Sequence, residues 1–360
     1  MTFPRPRIGL SAVIVITAVA LWSADIFLAR TENIEMQTEA RHDAEAARRA
    51  LAQGRAEDAV SLFRKAHALD RENSGYALEL AQALMAAGKL SEAQSILSDN
   101  LENSPNDGQA NLLEARLMVR QGKIDQASAY YHRAIYGIWP ENPVRHRVEV
   151  RLELANLLAS HHASQELLAE LLPLETEAQN DLSVRKQVAR LYLVADAPDR
   201  ADAAYRALIR DDSDDGDNDA GLGEAALALG NYRAAQVAFQ NAIHHGAQVQ
   251  NRLDLAAQMA DLDPTPRRLS AMEKFTRSAR ILLLARDALA SCASSDRAKP
   301  LLEDADAALG QKIRGDATNE TAEKFLALAQ DIWQLRVDTC AVPSTPNDEP
   351  LRLIMAKLSQ

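Results

Sequence analysis

The sequence predicts an all-α protein built from helix hairpins that recur along the chain, and three observations support this fold class. The 360-residue chain is rich in alanine, and aromatic residues make up only 4% of it. Alanine has the highest helix propensity, whereas strands need β-branched and aromatic runs that are missing here. A glycine also recurs every 34 residues, at Gly54, Gly88 and Gly122. The length allows two ordinary domains or one extended array, and the internal repeat favours the array.

The first predicted element is an apolar N-terminal helix over residues 8–29. Residues 8–23 carry no charge, and Asp25 alone interrupts the apolar run that follows. A helix of this length could cross a hydrocarbon core of about 30 Å. Arg5 and Arg7 precede it, which favours a cytoplasmic tail over residues 1–7 and an extracytoplasmic, periplasmic remainder. We therefore predict a transmembrane signal-anchor helix in a single-pass membrane protein.

Two other interpretations of this segment stay open. A signal peptide cleaved after Ala18-Val19-Ala20 would give a secreted protein, although the apolar run continues to Leu28. A helix buried in a soluble domain is the second alternative.

Six repeat units are predicted over residues 40–247, because three series of similar residues recur along the chain with the same spacing. The first series contains small residues where two helices cross: Ala47, Ala81, Ala115, Ala155, Ala189 and Gly223. The second lies in the following helix: Ala59, Ala93, Ala127, Leu167, Ala201 and Ala235. The third contains large residues four positions later: Phe63, Leu97, Tyr131, Leu171, Tyr205 and Phe239. Every step is 34 residues except one shared step of 40, which indicates a six-residue insertion near Tyr136–Pro143.

Each series has a physical cause. Helix axes approach to about 8–10 Å only where small side chains lie at the crossing. A glycine accepts the left-handed conformation that ends a helix, which explains the predicted turns at Gly54, Gly88, Gly122 and Gly230. The fourth unit has Ser160-His161-His162-Ala163 where this glycine is expected.

The pattern resembles the tetratricopeptide repeat family, whose unit is a 34-residue helix–turn–helix. The sixth unit fits best, with Gly223, Gly230, Tyr232, Ala235 and Phe239 in the family's positions. The resemblance implies an α-solenoid in which the hairpins form a right-handed superhelix with a concave face. It also implies a scaffold that binds other proteins and has no enzyme activity.

In this family the first helix of each unit lines the concave groove. The residues that follow the small crossing residue form one row: Arg48, Gln82, Arg116, Asn156, Arg190 and Glu224. Apolar residues lie a turn later, among them Leu51, Met85 and Val119. Since arginine pairs with carboxylates through two hydrogen bonds, we expect the groove to hold a peptide or helix that carries acidic groups. Alternatively, the apolar strips pack against neighbouring helices and the arginines are solvated.

Residues 248–360 are predicted to form a helical capping subdomain, which an exposed solenoid end requires. Ser270 and Glu273 predict a capping box for a helix that ends near Cys292. Further helices are expected from about Asp296 to Ile313, from about Asn319 to Thr339 and at the C-terminus. If the three longer helices run antiparallel, Cys292 and Cys340 reach the same end, so a disulfide between them is possible; two separate thiols are the alternative.

The remaining features argue against other functions. The net charge of −11 disfavours nucleic-acid binding, which needs Lys and Arg to neutralise phosphates. Motifs for hydrolases, phosphate binding or dinucleotide binding are absent, so neither a cofactor nor a small-molecule substrate is expected. The acidic run Asp211–Asp219 resembles the start of a calcium loop, but Leu222 stands where the bidentate glutamate belongs. We therefore interpret it as a solvated loop, and predict no metal site.

Together these observations predict a membrane-anchored scaffold or adaptor in the cell envelope. The alternatives are a secreted repeat protein, an accessory subunit of an envelope assembly or secretion complex, and an enzyme with its active site in the C-terminal helices.

Overall fold

A computed structural model describes residues 8–292, 297–310, 319–340 and 348–359. These residues form seventeen α-helices and no β-strand, which confirms the predicted all-α fold class. The helices fall into two compact units, one ending at Leu154 and the other beginning at Ala155. The handedness predicted for the superhelix stays a prediction.

Unit 1 contains three helix hairpins and the start of α7. Its helices are α1 (Ile8–Ala52), α2 (Ala56–Leu69), α3 (Ser74–Ala86), α4 (Leu90–Asn103), α5 (Gly108–Arg120), α6 (Ile124–Ile135) and the first part of α7 (Pro143–Ser160). The helices α1 and α2, α3 and α4, and α5 and α6 pack against each other as neighbours. The six-residue insertion predicted between the third and fourth repeats lies in the segment that joins α6 to α7.

Unit 2 continues the hairpins and ends in a helical cap. Its helices after α7 are α8 (Ser164–Glu177), α9 (Leu182–Val194), α10 (Pro198–Asp211), α11 (Gly216–Ala228), α12 (Tyr232–His244), α13 (Gln250–Leu262), α14 (Ala271–Ala290), α15 (Ala298–Gly310), α16 (Asn319–Thr339) and α17 (Asp348–Leu358). One hydrophobic core joins the sixth hairpin to the cap, since Phe239, Ile281, Ile332 and Ile354 all belong to it. The predicted boundary between residues 247 and 248 therefore lies inside a continuous core, and the predicted domain limits stay predictions.

The N-terminal helix differs from its prediction in length. α1 has 45 residues and includes the first helix of the first repeat. Residues 1–7, predicted as a cytoplasmic tail, lie outside the described residues, and so do the side chains of residues 8–14. Within the described part of the chain, none of the helices combines the length and apolarity that a membrane span requires. The transmembrane helix predicted over residues 8–29 is therefore not supported by the described residues.

The positions predicted at helix crossings are buried in both units. Ala47, Ala81, Ala115, Ala155 and Ala189 have no exposed surface. Gly223 is also buried, and a Cβ atom there would lie 2.5 Å from Cε1 of Phe239. The sixth hairpin therefore needs glycine where the other five have alanine.

Six left-handed residues mark the turns inside the hairpins. Gly54, Gly88, Gly122 and Gly230 have φ between 67° and 76°, as predicted. His162 and Asp196 occupy the same phase in the fourth and fifth hairpins, each with φ of 55°. The left-handed turn conformation is therefore present in the fourth and fifth hairpins, although these two hairpins lack the glycine.

The cap is closed by a disulfide and by the C-terminal helix. Ser270 and Glu273 form the predicted capping box of α14. Cys292 and Cys340 form a disulfide with their Cα atoms 6.0 Å apart. The buried side chain of Arg336 donates hydrogen bonds to both carboxylate oxygens of Asp348, at 3.2 and 2.7 Å, which joins α16 to the first turn of α17.

The helix α17 in turn contacts the sixth hairpin. Tyr232 Oη donates to the carbonyl oxygen of Leu353 at 3.0 Å. Lys357 Nζ donates to the carbonyl oxygen of Gly230 at 2.7 Å and to Asp263 Oδ2 at 2.6 Å. The last helix of the chain therefore holds the turn of the last repeat.

Candidate functional site

A cavity of about 270 Å³ in unit 1 is the candidate functional site, and we call it the groove cavity. It is lined by residues of α3, α5, α6 and α7: Gln82, Met85, Leu113, Arg116, Val119, Arg120, Tyr131 and Glu153. Gln82, Met85, Arg116 and Val119 belong to the predicted groove, so the structure brings half of the predicted set together.

The repeat phase explains how these side chains meet. Gln82 and Arg116 each follow the small residue at a helix crossing, and Met85 and Val119 lie three residues further on. Because α3 and α5 pack side by side in the same register, equivalent residues become neighbours. N-terminal caps fix where both helices begin. Asn73 Oδ1 accepts from Gly75 N at 3.1 Å before α3, and Asp107 Oδ1 accepts from Ala110 N at 2.9 Å before α5.

A carboxylate network forms the polar part of the cavity. Arg116 donates to both oxygens of Glu153, at 2.8 and 2.7 Å, and Tyr131 Oη donates to Glu153 Oε1 at 2.7 Å. Burial opposes ionisation of Glu153, but the hydrogen bonds from Arg116 and Tyr131 outweigh it and lower the pKa of this carboxyl. Burial and the same hydrogen bond raise the pKa of Tyr131 above its ordinary value. The site therefore contains a fixed carboxylate, a fixed guanidinium and a neutral phenol.

The groove prediction expects the arginines of the row to bind an acidic ligand, but both arginines of the row in unit 1 pair with glutamates of this chain. Arg48 donates to both oxygens of Glu79, at 2.7 and 3.0 Å, as Arg116 does to Glu153. In each case the glutamate lies on a neighbouring first helix and neutralises the charge that was expected to attract an acidic ligand. Arg48 and Leu51 do not line the groove cavity.

The row continues in unit 2 without forming a matching basic surface. Asn156 and Arg190 are exposed. Glu224 accepts two hydrogen bonds from Arg252, at 2.6 and 2.5 Å. Unit 2 therefore also contains a charged pair between neighbouring helices, but here the acid lies in the row and the arginine lies on the later helix.

Four lining residues were not predicted: Leu113, Arg120, Tyr131 and Glu153. The sequence does contain a signal for Glu153. Arg48 and Glu79 are 31 residues apart, and Arg116 and Glu153 are 37 apart. The difference equals the six-residue insertion, so the two pairs are equivalent in the repeat. Arg120, whose Nη1 donates to the carbonyl oxygen of Met85, has no such periodic signal.

The acidic run that resembled a calcium loop is occupied by internal contacts. Asp211 pairs with Arg185 at 2.6 Å, and Asp219 with His245 Nδ1 at 2.8 Å. Asp215 accepts from Lys186, which lowers the pKa of its carboxyl, and also caps α11 through Asp217 N at 3.0 Å. No group of three or more potential metal ligands occurs among the described residues.

The repeated hairpins and the groove cavity define a helical-repeat protein. Residues 50–117, which contain four of the eight residues that line the groove cavity, match the family described as tetratricopeptide repeat. A comparison with curated proteins finds no match.

Several solved structures of repeat proteins are similar to this chain at low identity. A tetratricopeptide repeat protein from Parabacteroides merdae is 14% identical over 81% of this chain and 99% of its own, with a TM-score of 0.41. The C-terminal part of a repeat protein from Cytophaga hutchinsonii is 11% identical over 83% and 99%, with a TM-score of 0.44. YrrB, described as a repeat protein with an unusual peptide-binding site, is 19% identical over 53% and 96%, with a TM-score of 0.43. At these values the similarity indicates no ligand for this chain.

Proposed function

We propose that this chain is a non-enzymatic scaffold that holds a segment of a partner protein in the groove cavity. The observation that carries the proposal is the composition of the cavity wall. Met85, Leu113 and Val119 offer apolar contact, while Gln82 and the Arg116–Glu153 pair offer hydrogen-bond donors and acceptors at fixed positions. Ligand sites commonly combine a mainly apolar lining with a few oriented polar groups.

The paired charges define which segment would fit. Since Glu153 neutralises Arg116, the strongest attraction is not for a carboxylate at this position. An apolar side chain can enter between Met85 and Val119, while Gln82 and the Arg116–Glu153 pair can hydrogen-bond to the main chain of an extended segment. The proposed ligand is therefore an extended peptide anchored by an apolar residue.

The test is a selection from a random peptide library displayed on phage, with the full chain as the target. Recovered peptides are titrated by fluorescence anisotropy against the full chain, the Val119→Glu variant and a Gln82→Lys variant. We expect one class of peptides to lose at least tenfold in affinity in both variants, which corresponds to about 1.4 kcal/mol. The matched control is Val237→Glu, a change at an exposed valine of α12.

Circular dichroism would verify that each variant folds, and Gln82→Lys alters an exposed side chain in case Val119→Glu does not fold. Peptides that bind both groove variants as tightly as the full chain would contradict the proposal.

We further propose that the N-terminal part of α1 attaches this scaffold to a membrane of the cell envelope, with the repeats on the extracytoplasmic side. Two observations support this part. Residues 8–23 carry no charge, and apolar side chains of the described part of α1 face solvent, with Leu21 72% and Trp22 68% exposed. Such exposure leaves an apolar surface that none of the described residues covers. A secreted form cleaved after Ala20, and an accessory subunit of an assembly or secretion complex, are the competing possibilities.

Membrane attachment is tested with the full chain expressed with its own N-terminus. We expect the protein to stay in the membrane pellet after an alkaline carbonate wash, with an intact N-terminus by mass spectrometry. Replacing Ile16 and Val19 by arginine should release it, whereas Met36→Arg, further along the same helix, should not. A mature chain that begins at Leu21, or an intact chain that the wash removes, would refute the anchor.

A further inference from the structure

The six-residue insertion between the third and fourth repeats forms a loop with defined backbone hydrogen bonds. Ile138 N donates to the carbonyl oxygen of Asn106 at 2.7 Å, and Gly108 N donates to the carbonyl oxygen of Ile138 at 3.1 Å. The loop therefore pairs with the segment that leads into α5. An insertion with no role needs no such attachment.

The side chain of Trp139 holds this loop against α5, α6 and α7. Its indole Nε1 donates to the carbonyl oxygen of Ala134 at 2.9 Å, and its ring stacks on His146 with centroids 4.4 Å apart. The ring also lies directly on Gly108, where a Cβ atom would be 2.4 Å from it. The loop is thus held by its tryptophan against a position that only glycine can occupy.

The fixed loop presents two large apolar side chains to solvent. Tyr136 is 72% exposed and Ile138 is 69% exposed, although burial of either would be favourable. Since Ile138 pairs through its backbone and the neighbouring Trp139 packs against Gly108, the Ile138 side chain is directed outward. Exposed apolar side chains on a fixed backbone are typical of protein interaction sites.

The cationic side chain of Arg133 lies beside these side chains. A cavity of about 430 Å³ is lined by Pro105, Asn106, His132, Arg133 and Tyr136, and no carboxylate lines it. The Arg133 guanidinium lies over the Tyr130 ring, 4.9 Å from its centroid, and forms no ion pair with any residue that the structure describes. In a chain with a net charge of −11, this local excess of positive charge attracts acidic ligands.

This surface is separate from the groove cavity, with which it shares no lining residue. Arg133 follows Tyr131 by two residues on α6, which places the two side chains roughly 200° apart around the helix. A ligand in the groove cavity therefore leaves Arg133 accessible.

We infer that Arg133, Tyr136 and Ile138, with the cavity beside them, form a second docking surface, the insertion surface, for an acidic segment of a partner protein that carries an apolar residue. A carboxylate of the segment pairs with the Arg133 guanidinium, whose planar fork can donate two hydrogen bonds. The apolar residue packs between Tyr136 and Ile138.

The phage-displayed library tests this surface independently of the groove. Recovered peptides are titrated against the full chain, against Arg133→Glu and against the double variant Tyr136→Ser/Ile138→Ser. We expect a class of peptides with net negative charge and at least one large apolar residue, whose affinity falls at least tenfold in both variants. Raising the ionic strength should weaken the same peptides, because the Arg133 contact is exposed to solvent.

The controls separate this surface from others. Binding of this class should be unchanged by Val119→Glu in the groove cavity and by Arg71→Glu, a charge reversal at another exposed arginine of unit 1. The inference is overturned if no recovered peptide depends on Arg133, or if the dependent peptides are basic or lack an apolar residue. It is equally overturned if a single-stranded oligothymidine probe binds in an Arg133-dependent manner and displaces them.

Discussion

Glu114 of α5 is a carboxyl group buried where other repeats place an aliphatic side chain. It is 2% exposed, and its Oε2 atom has no hydrogen-bond partner among the described residues. Leu80, Leu154 and Val188 occupy the equivalent positions and are also buried. Burial raises the pKa of the Glu114 carboxyl, and nearby Lys123 offsets this only in part. The third repeat therefore contains a residue that disfavours its own folding at neutral pH.

We predict that Glu114→Leu stabilises the protein by about 1–3 kcal/mol at pH 7, the range for a buried polar group without its partner. Because the folded-state pKa lies above the ordinary value of 4.5, the unfavourable contribution is absent below that pH and complete above the folded-state pKa. The gain from Glu114→Leu should therefore shrink as the pH falls from 7 to 4. Urea unfolding at several pH values measures this, with Leu80→Ile as a control of similar burial. A gain that does not vary with pH would exclude a contribution from ionisation.

At the scale of residues, the sequence predicted which residues share a helix face but not which side chains form hydrogen bonds with each other. The row of Arg48, Gln82 and Arg116 was correctly placed on first helices, and its spacing follows from the repeat. Pairing of Arg48 with Glu79 and of Arg116 with Glu153 depends on how neighbouring helices align, and the phase of a single series does not contain this information. Comparing the arginine row with the glutamates one repeat later would have shown it.

The hairpin turns show how helix ends are determined at the scale of elements. Six turns use a left-handed residue at one phase, but only four of the six have glycine. A side chain with a Cβ atom costs about 1–2 kcal/mol in this conformation, and less for Asn or Asp, which can hydrogen-bond locally. His162 thus carries a larger expected penalty than Asp196.

We predict that His162→Gly raises the free energy of unfolding by about 0.5–1 kcal/mol, since glycine adopts this φ without steric cost but loses more chain entropy on folding. Gly88→Ala should lower it by about 1 kcal/mol for the opposite reason, because space is available at Gly88 and only the φ of 76° is unfavourable. Thermal and urea unfolding of both variants would measure these changes. His161→Gly, one residue earlier, is the control and should not stabilise. Equal effects of His161→Gly and His162→Gly would show that the left-handed conformation is not the cause.

Most elements were predictable because their signals are local. The capping box of α14 and the glycine turns depend on a few adjacent residues, and the structure contains both. The unbroken length of α1 was not predicted. Charged residues such as Arg30 and Glu32 suggested an end to the apolar segment but carry no helix-stopping signal, so the helix continues into the first repeat.

At the scale of the molecule, the fold class follows from the repeat, because each hairpin is stabilised by packing against the adjacent hairpins. The boundary between the repeats and the C-terminal cap cannot be predicted from the repeat in the same way. Phe239 of the sixth hairpin belongs to the same hydrophobic core as Ile354 of α17, and the periodicity does not predict this shared core. The proposed insertion surface is similarly not predictable from the repeat, because its residues lie in or beside the six-residue insertion.

The contacts of α17 also have a consequence for biosynthesis. Tyr232 and Gly230 find their partners 121 and 127 residues later, in α17. Repeats near the N-terminus can assemble while the ribosome is still working, since their contacts are made with adjacent hairpins. The sixth repeat must wait, with part of its apolar surface uncovered, until α17 has been synthesised and has left the exit tunnel.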